Sequence, residues 1–89
     1  MIGKSSKNII IKNMELNDFV AHFAEQFEET DASAFAPETK FRELEEWSSL
    51  MGLSIIAMIC EEYGVVLNGH DMRQANTIEE LFNIAVSKQ

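Results

Sequence analysis

The sequence predicts an all-α fold, a small four-helix bundle with three main helices and a short third one. Three observations carry that prediction. Two well-separated segments place their apolar residues at the 3.6-residue period of a helix. Between them, Leu50 to Cys60 holds nine apolar residues in eleven, dense enough for a central helix. After residue 13 no segment reads as a strand, with β-branched and aromatic residues alternating between turn signals. With 89 residues, one domain with a simple core is expected.

Residues 1–13 read as a basic, flexible tail with Lys4, Lys7 and Lys12, Gly3 and two serines. Ile9 to Ile11 allow a short edge strand or no regular structure. The compact domain is expected over 14–89. Its first helix should run from about Glu15 to Glu28, with Leu16, Phe19, Val20, Phe23, Ala24 and Phe27 on one face. Asp18, Glu25 and Gln26 fall on the other. A long loop, Thr30 to Ser48, follows. Pro37 and the Asp31–Ala32–Ser33 cluster argue against regular structure there. Phe35, Phe41, Leu44 and Trp47 can pin the loop to the core, and the spacing of the last three allows one helical turn.

The second helix should start at Ser49 or Leu50 and end at Glu62. Ser48 is its candidate N-cap, because a serine hydroxyl accepts a free first-turn amide. Gly64 is its stop, because glycine enters the left-handed region without a steric penalty. Val65 to Leu67 form an extended link, Asn68–Gly69 a turn, and His70 to Gln74 a short helix. The last helix should begin at Asn76 or Thr77. Thr77 and Glu80 have capping-box spacing, and Ile78, Leu81, Phe82 and Ala85 share a face.

Charge is uneven. All fifteen acidic residues lie from Glu15 onward with only four of the basic ones, so residues 13–89 carry a formal −11. Such a surface repels nucleic acid phosphate and anionic lipid and attracts basic protein patches. Membrane insertion is not expected, since no apolar run approaches the roughly 20 residues of a spanning helix. Cys60 is alone, which fits a reducing cytoplasm, and two distant histidines with one cysteine give no metal spacing.

Trp47–Ser48–Ser49–Leu50, then an apolar helix closing on Glu61–Glu62–Tyr63–Gly64–Val65–Val66–Leu67, resembles the acyl carrier protein family. The family pattern is Asp-Ser-Leu at the start of helix two, then acidic residues, an aromatic, Gly or Asp, and an alternating apolar link. The resemblance covers 14–86 and runs from Ser49 to the C-terminus without a gap. It implies that 4′-phosphopantetheine is attached covalently to Ser49 by a phosphopantetheinyl transferase. It further implies that the arm carries acyl groups as thioesters among acyl-loading, synthase or acyltransferase enzymes. The chain would then be a monomeric cytoplasmic carrier rather than an enzyme, in a fatty acid, polyketide or related pathway. The implied partner contacts are Leu50, Met51, Leu53, Glu61 and Glu62.

Two departures stand out. Ser48 replaces the family's aspartate, so it is a second hydroxyl beside Ser49, less suited because the leucine follows Ser49. Along helix two, Met51, Ser54 and Cys60 stand where the family displays acidic residues, and glutamates gather instead at Glu43, Glu45 and Glu46. That pattern implies specialised partners docking by apolar contact, to which flexible Met51 and Met58 are suited. Two other readings stay open: an unmodified interaction module of the same fold, and an aminoacyl or peptidyl carrier. Blander roles are expected elsewhere. Trp47 anchors the loop or walls the arm, Cys60 is an inert thiol on or beside the packed face, His22 is solvated, and His70 is structural. The glutamates lack the shared cleft that acid–base catalysis needs.

Overall fold

A computed structural model describes residues 14–89. The proposed tail, 1–13, lies outside the described residues. The elements are α1 (Leu16–Glu25), α2 (Ser49–Tyr63), α3 (Gly69–Gln74) and α4 (Ile78–Ser87), with short 3-10 turns at Ala32–Ala34 and Phe41–Glu43 in the long loop. All the regular structure among the described residues is helical.

The apolar stripes meet in one core. Phe19 and Phe23 of α1, Phe41 of the loop, Ile55 and Ile59 of α2, and Ile78 and Leu81 of α4 are all fully buried. Aromatic rings make much of it. Phe23 packs with Phe27, Phe35 and Phe41 at centroid distances of 5.7, 6.2 and 5.5 Å. The link after α2 alternates as an extended segment must: Val65 and Leu67 are buried and Val66 is exposed.

The first helix ends three residues earlier than its apolar period predicts. Phe27 still enters the core. The cause is a competitor for the backbone. Glu46, eighteen residues from Glu28, accepts the amides of Glu28, Glu29 and Thr30 at 3.0–3.1 Å and the Thr30 hydroxyl at 2.7 Å. Those amides turn toward a carboxylate instead of continuing the helix. Glu46 is therefore spent on a tie between the loop and α1, leaving Glu43 and Glu45 for the expected acidic patch.

The loop also closes α4. Ile78 and Glu79 donate their amides to the carbonyls of Thr39 and Pro37, at 3.1 and 2.8 Å. Thr77 accepts from the Glu80 amide as its spacing predicts, but Glu80 reaches past Thr77 to the Asn76 amide. A full capping box forms instead at α3, between Asn68 and Asp71. Lys88 pairs with Asp71 at 3.0 Å and joins α3 to α4.

Two further expectations need correction. His22 is half-buried, not solvated. Its Nδ1 lies 2.8 Å from the Tyr63 hydroxyl, which itself donates to Asp18 at 3.0 Å. Burial, followed by that bond to Asp18, raises the Tyr63 phenol well above its ordinary value. Cys60 is exposed rather than beside the packed face. It follows Ile59, which is fully buried, and one helical step turns it off the core side.

Candidate functional site

The start of α2 collects the features that point to function. Ser48 is extended (φ −157°, ψ 171°), and its hydroxyl accepts the Met51 amide at 3.2 Å. That is an N-cap, and it occupies the Ser48 oxygen. Its carbonyl accepts from Gly52 at 3.1 Å and closes the first turn.

Ser49 is the first residue of α2. It is exposed, and its hydroxyl has no hydrogen-bond partner among the described residues. The amides of Ser49 and Leu50 are likewise engaged by no group of the described residues. Free amides at a helix start carry the positive end of the dipole and favour an anion. The two serines thus do different work: Ser48 closes the helix, and Ser49 stands open beside two unused donors.

Ring packing and hydrogen bonds hold the loop before Ser48. Trp47 is half-buried, its ring 5.0 Å from Phe41 and 6.4 Å from Phe27. Glu46, next to it, is tied to 28–30. Burial opposes that tie only in part: the Thr30 hydroxyl, followed by the backbone amides, keeps the Glu46 carboxyl below its ordinary value.

Beside Ser49 lies an open groove of about 240 Å³ between α2 and α3, bordered by the loop. Trp47, Leu53, Ile56 and Met72 give it apolar walls, and Gly52 leaves the Trp47 indole uncovered. Arg42 and Arg73 stand at its edges. Arg42 is committed: it donates to the Met72 carbonyl at 2.8 Å and to Asn76 at 2.7 Å, capping the end of α3, and lies over the Phe41 ring. Trp47 therefore both anchors the loop and walls the groove.

The other expected contacts separate. Leu50 and Leu53 are exposed, at 72% and 63% of their full surface, while Met51 is half-buried against the core. Glu61 and Glu62 are exposed at the far end of α2, and Glu62 lies 3.5 Å from His22. Met58, expected as a flexible contact, is buried at 4% and belongs to the core. Sequence reasoning missed Arg42 and Arg73. Their place at the groove depends on the fold of the loop and α3, and no local spacing signals it.

A helical bundle with an open serine at the mouth of its second helix is the architecture of a carrier domain. The family described as "Phosphopantetheine attachment site" matches residues 17–84, and the chain belongs to it. Domains of that family hold 4′-phosphopantetheine covalently. No curated protein and no solved structure matches the chain. Among the described residues no group of His, Cys, Asp and Glu is placed to hold a metal ion. No helix among them is long and apolar enough to cross a membrane.

The residues at the start of α2 fit the group the family holds. An attached phosphodiester needs an accessible hydroxyl and room for its oxygens, and Ser49 offers both with two amide donors adjacent. A chain leaving Ser49 has the groove beside it.

Proposed function

We propose that the chain is an acyl carrier protein whose Ser49 is the attached residue. The observation that carries this is the division of labour between the two serines. Within the family match, Ser49 is the hydroxyl left open at the helix start, and Ser48 is occupied by the Met51 amide.

In the transfer, the Ser49 oxygen bonds to the phosphorus of coenzyme A that bears the pantetheine. The phosphoanhydride bond breaks, adenosine 3′,5′-bisphosphate leaves, and the hydroxyl proton goes to a base on the transferase. The chain contributes an exposed hydroxyl and an anion-favouring helix start, worth about 0.3–1 kcal/mol to the attached phosphodiester. The attached group supplies a thiol on a long arm, which carries an acyl cargo as a thioester. The protein holds cargo for other enzymes and does no chemistry of its own, as a monomer in the cytoplasm. The uncharged first half of α2 favours a specialised fatty acid, polyketide or related pathway.

Co-expression with phosphopantetheinyl transferases and intact-mass measurement tests this. The expected result is a gain of one phosphopantetheine, lost in Ser49→Ala and kept in Ser48→Ala. A gain kept in Ser49→Ala and lost in Ser48→Ala would move the site to Ser48. No gain with any transferase would leave an unmodified interaction module.

A further inference from the structure

A second open groove, of about 490 Å³, runs between α1 and the loop segment that follows it. It has about twice the volume of the groove beside Ser49 and shares no lining residue with it. Val20 and Ala24 of α1, with Phe27 and Phe35 beyond its end, give apolar walls. Val20 and Ala24 are only half-buried, and Ala21 and Ala32 stand exposed at the lip.

The rim is acidic. Glu25 lines the groove, and Glu28, Glu29 and Asp31 follow it in the chain. All four are exposed, and none pairs with a cation among the described residues. An occupant that matches both features has apolar side chains flanked by cations.

The chain carries such a segment just before the described residues. Lys7–Asn8–Ile9–Ile10–Ile11–Lys12 sets three isoleucines between two lysines, and no acidic residue precedes Glu15. Its reach fits as well. Met14 packs against the core and fixes where the segment starts. Ile11 and Ile9 lie three and five residues before it, about 10 and 17 Å of extended chain. The groove opens at Asn17, and α1 runs about 12 Å from there to Glu25. A chain reversed at Asn13, a residue suited to tight turns, would lie along the groove. Tethering presents the segment at millimolar effective concentration, an advantage that a separate partner lacks.

We propose that residues 7–12 of this chain dock along the groove between α1 and the 30–35 segment. Side chains alternate along an extended strand, so Ile9 and Ile11 enter the groove and Ile10 faces water. Lys7 then reaches the carboxylates between Glu25 and Asp31, and Lys12 stays near Glu15. The docking goes beyond the carrier reading and does not depend on it, since Ser49 stays open on the other groove.

The test uses the full chain and nuclear Overhauser contacts from the isoleucine methyls. Contacts from Ile9 and Ile11 to Val20 and Phe35 are expected, and none from Ile10. Ile9→Ser and Ile11→Ser should each lower the docked-to-free ratio about tenfold, the scale of one buried aliphatic side chain, whereas Ile10→Ser should leave it unchanged. The Ala24 and Phe35 amide shifts read that ratio. Unmoved Phe23 and Ile59 amides show that the core is intact in each variant. Ala21→Lys, on the exposed lip, should release the segment without any change in residues 7–12. Raising salt from 50 to 500 mM should weaken the docking, because its ion pairs are exposed. Equal losses from all three serine substitutions overturn the proposal, as do contacts to another surface. Contacts found only between differently labelled copies also overturn it, because the occupant would then be a second copy. A groove without these contacts at 50 mM salt overturns it too, and leaves the groove to a separate partner.

Discussion

Glu46 shows how one side chain sets the geometry of the site at a distance. Its carboxylate collects three backbone amides and a hydroxyl from 28–30, and its neighbour Trp47 leads directly into the capped serine. The Thr30 hydroxyl, then the amides, favour the charged form and keep its pKa below the ordinary 4.5. A carboxyl depressed in the folded state contributes stability that is full above 4.5 and lost as pH falls through the lower folded value. Asp71 behaves alike, lowered by the Asn68 amide and by Lys88. Glu46→Gln keeps the shape and removes the charge. At pH 7 the variant should melt below the wild type, and the gap should narrow as pH falls below 4.5. Thermal unfolding followed above and below that pH checks it, and a gap independent of pH would mean that the carboxylate charge plays no part.

At the scale of the element, α2 is fixed at both ends by residues with opposite tolerances. Gly64 sits at φ 68°, ψ 21°, and a Cβ there would meet no atom within 4 Å. Alanine at 64 therefore costs only its left-handed conformation, about 1 kcal/mol. Gly52 lies inside the helix, where a Cβ would touch the Trp47 indole at 3.5 Å, an ordinary contact. Gly52→Ala should stabilise by up to about 1 kcal/mol through helix propensity. Urea denaturation of the two variants should move the midpoint in opposite directions, and two shifts of the same sign would contradict the cap assignment. Both ends of α2 were legible in the sequence because capping is local: Ser48 and Gly64 are each decided by their own neighbours. The Thr77 cap of α4 was legible for the same reason. The Asn68–Asp71 box on α3 has an equally local signal, which the turn signal of Asn68–Gly69 masks. What the sequence hid is long-range. Nothing near His22 signals Tyr63, 41 residues away, and nothing near Glu28 signals Glu46. The end of α1 was misplaced for that reason, since its apolar period continues past the point where Glu46 takes the backbone. The open state of Ser49 was legible only in part. Its place at a helix start was readable, but its freedom depended on Ser48 being the cap.

For the whole molecule, the question is what a partner enzyme touches. The first half of α2 offers Leu50 and Leu53, and Val66 is exposed at 73% on the link after that helix. Carboxylates lie farther off, at Glu43 and Glu45 in the loop and Glu61 and Glu62 at the end of α2. A partner that docks by charge would be steered to those carboxylates and would slow as salt screens them over a Debye length of about 8 Å. A partner that docks on the leucines would be nearly indifferent to salt. Met51, first in line by sequence, is half-buried, so a charge there would strain the fold as well as the contact. Leu50 is the cleaner probe because most of its side chain is already in water. Leu50→Glu should leave the melting temperature close to wild type and raise the KM of an acyl-loading enzyme for the carrier about tenfold, the scale of losing one buried leucine contact. The kcat should hold, because the reacting thiol is on the arm and not on the helix. Loading kinetics at 50 and 300 mM salt complete the test. A KM unchanged by Leu50→Glu but rising steeply with salt would place docking on the glutamates instead.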